Sequence, residues 1–156
     1  MFREMLRKNQ ALPIEACVEI LENEKRGVLS VIGDDGYPYG MPMNHYYKDG
    51  MLYFHCGRKG HRIDAIAKNP KFSYCVHDSG VMRDDGWSYD VKSVIIFGRA
   101  EICDDAGTVA EICTELSRRF VSDEDYIARE VKSALSATVL IRLIPEHISG
   151  KAVHEA

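Results

Sequence analysis

The apolar residues of this chain recur with two different periods, and this difference separates predicted helices from predicted strands. Helical spacing predicts a helix that starts at Pro13 and ends near Gly27. A second predicted helix, residues 60–68, places Ile63, Ile66 and Ala67 on its inward face. Two further helices are predicted after residues 104–105 and from residue 122 onward, since acidic residues suit the first turn of a helix. The apolar stripe of the first helix consists of Ile14, Cys17, Val18 and Leu21.

Short alternating or β-branched runs predict the strands, which make up most of the remaining chain. The dipeptide Asp49-Gly50 tolerates positive φ at both positions and predicts a hairpin between strands 37–47 and 51–55. Pro38 and Pro42 cannot donate ladder hydrogen bonds, so strand 37–47 is expected at an edge, with a bulge, or against a ligand. The remaining predicted strands are residues 28–32, 72–77, 91–103 (with a bend at Gly98) and 138–144.

The order of these elements predicts a mainly β fold. Sequential strands without regular strand–helix alternation favour an antiparallel barrel of six or seven strands with peripheral helices. A chain of 156 residues predicts one domain, residues 1–156.

Charge and cysteine usage exclude several classes of function. The net charge of −4 argues against a nucleic-acid-binding protein, and the sequence offers no apolar run long enough to span a membrane. The N-terminus lacks an apolar signal region, and the five cysteines are odd in number and form no C-x-x-C pair. These features predict a cytoplasmic protein without structural disulfides. The histidines and cysteines match no standard metal-site spacing, so no metal is expected.

A basic cluster after the hairpin is the clearest candidate for chemistry. Arg58, Lys59, Gly60 and Arg62 gather at the start of the predicted helix 60–68. Cations in a first turn oppose the helix dipole, and backbone N–H groups there can bind an anion. The cluster therefore predicts a phosphate site; the alternative is an ordinary solvated basic turn.

Several segments, in this order and spacing, resemble the flavin-binding split-barrel superfamily of pyridoxamine 5'-phosphate oxidase, nearest to its nitroimidazole-resistance (Nim)-like branch. The resemblance implies a split β-barrel that binds FMN in clefts of a homodimer. The matching segments are Gly36-Tyr37-Pro38-Tyr39, Pro42-Met43-Asn44, Leu52-Tyr53-Phe54-His55, Gly60-His61-Arg62, Asn69-Pro70, residues 93–100 and Ile148-Ser149-Gly150-Lys151.

The resemblance also implies which residues contact the cofactor. Residues of segment 42–44 lie along the flavin ring, and one of His55 and Cys56 lies near the ribityl phosphate, because neighbours on a strand face opposite ways. Ser93 is expected to approach the FMN of the partner subunit. Lys151 is expected to reach the cofactor cleft or the rim of the dimer interface. The full set of expected cofactor contacts is Pro42, Met43, Asn44, His55, Cys56, Arg58, Lys59, Gly60, Arg62, Ser93 and Lys151.

The function implied is an FMN-dependent oxidoreductase acting on a small molecule, with NAD(P)H as a possible electron donor. Reduction of nitroimidazole-type compounds follows from the Nim-like resemblance. His45 is the first candidate for a proton donor and Tyr46 the second. The alternative is a non-catalytic protein that binds FMN or haem on the same barrel.

Overall fold

The computed structural model describes residues 2–154, which form one antiparallel sheet and four helices. The strands are β1 (Ala11–Leu12), β2 (Arg26–Ile32), β3 (Pro38–Asn44), β4 (Tyr46–Lys48), β5 (Met51–Gly57), β6 (Lys71–His77), β7 (Val81–Met82), β8 (Tyr89–Cys103) and β9 (Thr138–His154). The helices are α1 (Ile14–Asn23), α2 (His61–Lys68), α3 (Ala106–Arg118) and α4 (Glu124–Ala134).

The sheet curls into a barrel because its two ends are neighbours in sequence. The strand order is β3-β2-β6-β8-β9-β5-β4, with the short β1 and β7 added on β9 and β8. Only His45 separates β3 from β4, although these strands lie at opposite ends of the order. Two residues of chain span at most roughly 7.6 Å, so the sheet ends must meet there. The predicted antiparallel barrel of six or seven strands is confirmed, with seven strands in the main order.

The barrel is closed at His45 but open further along. Strand β4 pairs only with residues 51–53 of β5. Beyond Tyr53, this edge of β5 has no strand partner within residues 2–154, while its other edge continues to pair with β9. The two sheet ends, β3 and the later half of β5, therefore leave a split between them.

The predicted hairpin is present but smaller than expected. Asp49 and Gly50 have φ values of 50° and 79°, as the turn requires, and they join β4 to β5. The prediction of one strand over residues 37–47 is wrong, since the chain breaks at His45 and β3 pairs with β2. Strand β3 is nevertheless an edge strand, so its two prolines cost no ladder hydrogen bond on the outer edge.

Three further features differ from the predictions: the end of α1, the buried face of α2 and the length of the last strand. Helix α1 ends at Asn23, before the predicted end near Gly27, because β2 already begins at Arg26. In α2 the helix is rotated so that Ala65 is buried, whereas Ala67 is exposed. The last strand continues past residue 144, because it pairs with nearly the whole length of β8.

The barrel interior forms the main core. Alternate residues of β5, β6 and β8 point inward, and Phe54, Tyr74 and Ile96 are completely buried. A second apolar cluster, with Tyr53 and Leu140, lies on the other face of β5 and β9 under Val109 and Ile112 of α3. The helices α3 and α4 therefore cover one outer side of the barrel. No helix in residues 2–154 has the length and apolar character to cross a membrane.

Arg119 joins the end of α3 to the end of α1. Its guanidinium donates hydrogen bonds to the Glu22 and Glu24 carbonyl oxygens, at 2.9 and 2.6 Å. The last carbonyls of a helix have no intrahelical partner, and a cation there is attracted by the negative end of the helix dipole. Arg119 therefore fixes α1 against the helical side of the barrel.

An Arg119→Met variant is expected to lower the free energy of unfolding by about 2 kcal/mol, since it removes charged hydrogen bonds and keeps the apolar stem. Urea denaturation measures this change. Arg118→Met is the matched control: Arg118 is exposed and pairs with Glu115 and Glu124 at the surface, so less than about 1 kcal/mol is expected. Equal losses in the two variants would contradict the assigned role of Arg119.

Candidate functional site

The split between β3 and β5 is the part of the barrel where a ligand can meet exposed backbone. The unpaired edge of β3 (the β3 lip) and the unpaired edge of the later half of β5 (the β5 lip) border the split. Their N–H and C=O groups are available for hydrogen bonds. Met43 and Asn44 lie at the end of the β3 lip, and His55 and Cys56 lie on the β5 lip. Four of the predicted contact residues are thus brought to one opening.

Helix α2 begins directly after the β5 lip and leads away from it. Its N-cap residue is Gly60, at φ 124°, which has no side chain to bond the first N–H groups of the helix. A Cβ on Gly60 would face open space, so the position needs glycine for its backbone conformation. His61 stacks on Tyr39 of β3 at 4.3 Å between ring centroids, and this contact holds the helix against the opposite lip. The free helix N-terminus therefore faces the split region with its donors unused by side chains.

Arg62 is the cation that reaches both lips. Its Nη1 lies 3.2 Å from the Met43 sulfur of β3. On β5, the pKa of His55 is lowered, first by partial burial and then by the Arg62 charge. Burial raises the pKa of the Cys56 thiol, and Arg62 opposes that rise. The Met43 contact places the guanidinium at the end of the β3 lip, and Arg62 itself belongs to the first turn of α2.

Arg58 and Lys59 lie before the helix rather than within its first turn. Of the four residues predicted to gather at the helix start, only Arg62 lies in the first turn, because α2 begins at His61. The Arg58 Nε donates to the Ser136 carbonyl oxygen at 2.7 Å, and its Nη1 lies 3.9 Å from an Asp104 carboxylate oxygen. Arg58 is thus directed toward the helical side of the barrel, whereas Lys59 is exposed in the turn.

The three residues at the end of β3 do not share a face. Met43 is buried in the barrel core, while Pro42 points to the outside. Asn44 is half-buried on the outer side and accepts a hydrogen bond from Arg26 at 2.8 Å. Similarly, Cys56 faces the interior and His55 the exterior, which agrees with the expectation that only one of them meets a given ligand.

His45 lies inside the protein rather than on an accessible surface. Its side chain is completely buried; Nε2 lies 2.7 Å from the Leu21 carbonyl oxygen and Nδ1 lies 2.8 Å from the Tyr74 hydroxyl. Because a carbonyl only accepts, Nε2 carries the proton, and the neutral ring leaves Nδ1 as an acceptor for the Tyr74 hydroxyl, which also lies 3.2 Å from the Met43 carbonyl oxygen. This position does not favour a proton donor to substrate, and Tyr46, the second candidate, packs against the cluster beneath α3.

The burial of His45 has a consequence for acid stability. Desolvation lowers its pKa to about 4, whereas the unfolded chain titrates near 6.5, so protons bind the unfolded chain first as the pH falls. Stability present above pH 6.5 is therefore lost as the pH falls toward 4. Between about pH 7 and about pH 4.5 we expect a loss of about 2–3 kcal/mol from this group. Urea unfolding at both pH values measures it, and His45→Gln should remove this part of the pH dependence. Identical pH dependence in both proteins would contradict the assignment.

Ser93 and Lys151 lie together, but far from Arg62 along the sheet. They are directly opposed on β8 and β9. The β5 lip pairs with the start of β9, where Gly57 opposes Thr138. Lys151 lies thirteen residues further along β9 than Thr138, roughly 40 Å of strand path. One chain therefore carries two separate groups of predicted contacts.

The outer face of the sheet between these groups carries no fixed charge across two rows of paired residues. The first row is Pro42, Val28, Cys75, Ile95 and Ser149. The second row is Gly40, Ser30, Ser73, Phe97 and His147. Within this outer face Val28, Ile95 and Phe97 remain 45, 40 and 39 % exposed. An uncharged surface with several exposed apolar side chains is typical of an interaction surface.

Two features of this region were not predicted from sequence. The stacking of Tyr39 on His61 joins two segments that the sequence analysis treated as separate motifs. Arg3 lines a cavity together with Ser93 and Lys151, although 148 positions separate it from the latter. No local pattern links residues so far apart, because their contact depends on strand pairing.

Comparisons with known proteins agree with this architecture. Residues 13–152 match the family model described as pyridoxamine 5'-phosphate oxidase. A comparison with curated proteins finds no match.

Solved structures with similar folds include proteins of several kinds. A candidate 5-nitroimidazole antibiotic resistance protein from Bacteroides thetaiotaomicron has a TM-score of 0.76 and 18% identity, covering 93% of this chain and 87% of that one. An FAD-binding protein from Mesorhizobium loti has a TM-score of 0.65 and 25% identity, covering 92% and 97%. A flavocytochrome from Azotobacter vinelandii has a TM-score of 0.72 and 18% identity, covering 97% and 72%.

Proposed function

Because the chain belongs to the pyridoxamine 5'-phosphate oxidase family, we propose that it is an FMN-dependent oxidoreductase that works as a homodimer. Its acceptor is a small molecule, with nitroimidazole-type compounds as the first candidates, and NAD(P)H is the proposed electron donor. The observation that carries the proposal is the position of Arg62 beside the uncapped N-terminus of α2, at the end of the split.

The phosphate of FMN fits the chemistry of this position. The first N–H groups of α2 are free of a side-chain cap, and a Cβ at Gly60, the residue before them, would meet open space. Backbone N–H donors, the helix dipole and the Arg62 guanidinium all favour a dianion there. Lys59 adds a second, exposed cation in the turn between β5 and α2. Arg58, held by Ser136, positions the turn and contributes less to binding.

The ring of the flavin would lie toward the outer side of the split. Asn44 presents an amide there, and the edges of β3 and β5 present backbone groups, which together suit the polar edge of the ring. Pro42 lies on the same outer side and offers an apolar contact. His55 is the ionisable side chain on the β5 lip, and its lowered pKa favours the neutral imidazole.

A homodimer accounts for the separation of the two groups of contacts. Some 40 Å of strand path lies between the Arg62 end and the Lys151 end of one chain, which exceeds the length of FMN. Two chains packed through the outer face by a two-fold axis can bring Arg62 of one chain near Ser93 and Lys151 of its partner. Away from Phe97, on which Phe2 stacks, the exposed side chains of that face, Val28 among them, supply the contact surface.

When bound, FMN supplies two-electron redox chemistry at its N5 atom. The chain itself contributes binding, orientation and exclusion of water. His45 is enclosed by Tyr74 and Leu21, and it stabilises the junction of β3 and β4 rather than moving a proton. The proposed rate acceleration therefore depends on positioning the acceptor over the ring.

Anaerobic mixing tests the enzymatic part of the proposal. The yellow protein should bleach when NADH or NADPH is added, and a 5-nitroimidazole should restore the colour by accepting the electrons. A flavin that stays oxidised with both donors, while remaining bound, would favour the non-catalytic alternative over the oxidoreductase.

A further inference from the structure

The N-terminal strap, residues 2–10, crosses the outer face of β8 and β9 and borders a half-open cavity. At one end, Phe2 stacks on the rings of His147 and Phe97, with centroid distances of 4.9 and 5.7 Å. At the other end, the strap enters β1, which pairs with β9. The space beneath has a volume of about 460 Å³, which is within the range of small-molecule sites.

The cavity is bordered by two cations that lack ion-pair partners. Arg3 and Lys151 line it, and neither forms an ion pair with any described residue of the chain. Glu4 also lines the cavity, but its carboxylate is paired with Lys8 at 2.7 Å. The local charge is therefore positive, although the chain as a whole is acidic. The Ser93 hydroxyl, directly across from Lys151, adds a neutral hydrogen-bonding group.

The rest of the cavity wall is apolar. Met5 covers it from the strap, Leu12 from β1 and Ile95 from β8. Ile95 is 40 % exposed despite its place in the middle of a strand, because the strap spans the cavity rather than filling it. A wall with cations at one part and aliphatic side chains elsewhere suits a ligand with an anionic head and an apolar body.

We propose that this cavity binds a small organic anion, whose carboxylate or phosphate pairs with Arg3 and Lys151 and whose apolar body contacts Met5, Leu12 and Ile95. The binding is independent of any flavin. Its role as the acceptor pocket rests on the proposed function, in which Ser93 and Lys151 border the flavin cleft of the partner subunit. The strap would then determine which acceptors the protein accepts.

Titration calorimetry on the full-length protein tests the site with three probes of one shape: 4-nitrobenzoate, 4-nitrophenyl phosphate and neutral 4-nitrobenzamide. We expect at least one anion to bind about tenfold or more tightly than the amide, as one charged hydrogen bond predicts. The tighter anion identifies the head group. Equal binding of all three probes, or binding of none, would overturn the proposal.

Two variants locate the site. Arg3→Gln and Lys151→Gln should each reduce the preference for the anion by about tenfold. Arg7→Gln makes the same change in the same strap, but Arg7 lies outside the cavity wall, so it should leave binding unaltered. An Arg3→Gln protein that keeps the full preference would contradict the site. The flavin content of each protein is measured separately from its absorption spectrum. A protein without flavin that still prefers the anion would contradict the proposed function but not the cavity site, because the calorimetric preference does not require flavin.

Discussion

An Arg62→Ala variant is expected to purify with little flavin while keeping its fold. Arg62 is the cation that lies near both lips of the split and beside the open N-terminus of α2. A charge-assisted hydrogen bond to phosphate contributes about 1.5–3 kcal/mol, so the dissociation constant of FMN should rise about 10- to 150-fold. Fluorescence titration of the apoprotein with FMN measures this change.

Two other variants sharpen the result. Lys68→Ala removes an exposed cation from the last turn of the same helix and should leave FMN binding unchanged. Arg58→Ala should weaken binding less than Arg62→Ala, because the Arg58 guanidinium is directed to the Ser136 carbonyl. Full affinity in the Arg62→Ala protein, with an unchanged unfolding transition, would refute the phosphate assignment.

A charged residue on the outer face is expected to dissociate the proposed homodimer, and the cofactor should be lost with it. Val28 lies in the uncharged row between Pro42 and Cys75, and it is 45 % exposed in one chain. Burying an unpaired glutamate at a two-fold interface costs several kcal/mol in each subunit, so Val28→Glu should weaken association by orders of magnitude, on the scale of about 10³-fold or more. Sedimentation should show the mass falling to that of one chain, and flavin should be lost in parallel.

Ile14→Glu is the matched control for this experiment. Ile14 is 49 % exposed at the start of α1, so the same substitution is made at a similar exposure but away from the outer face. It should leave both the mass and the flavin content unchanged. A stable dimer in the Val28→Glu protein would place the subunit contact elsewhere.

Local sequence signals predicted the elements that depend on local geometry. The Asp49-Gly50 turn, the strand over residues 72–77 and the irregularity at Gly98 all appear where the pattern placed them. Each depends on backbone preference or on alternation within one strand. These signals were sufficient for the fold class.

Features that depend on distant segments were not predictable in the same way. The apolar pattern over residues 37–47 gave no sign that the chain leaves one sheet end and joins the other at His45, since that break is set by pairing with β2 and β5. The same limitation applied to the basic cluster. Its residue types indicated an anion site, but the direction of Arg58 is decided by Ser136, 78 positions away.

The candidate site shows the same division. Segment 42–44 was expected along the ring as a unit, yet strand alternation turns Met43 into the core and leaves Pro42 and Asn44 outside. The burial of His45 could not be read from its neighbours, because its hydrogen-bond partners come from α1 and β6. Tertiary pairing therefore determined which of the predicted residues can meet a ligand.

The most direct test of the central claim is the absorption spectrum of the protein after saturation with FMN and removal of unbound ligand. The account predicts the two visible bands of oxidised flavin at a stoichiometry of one FMN per chain, hence two per dimer. A spectrum without flavin bands, or one dominated by the intense Soret band of haem, would contradict the assignment of this barrel as an FMN protein.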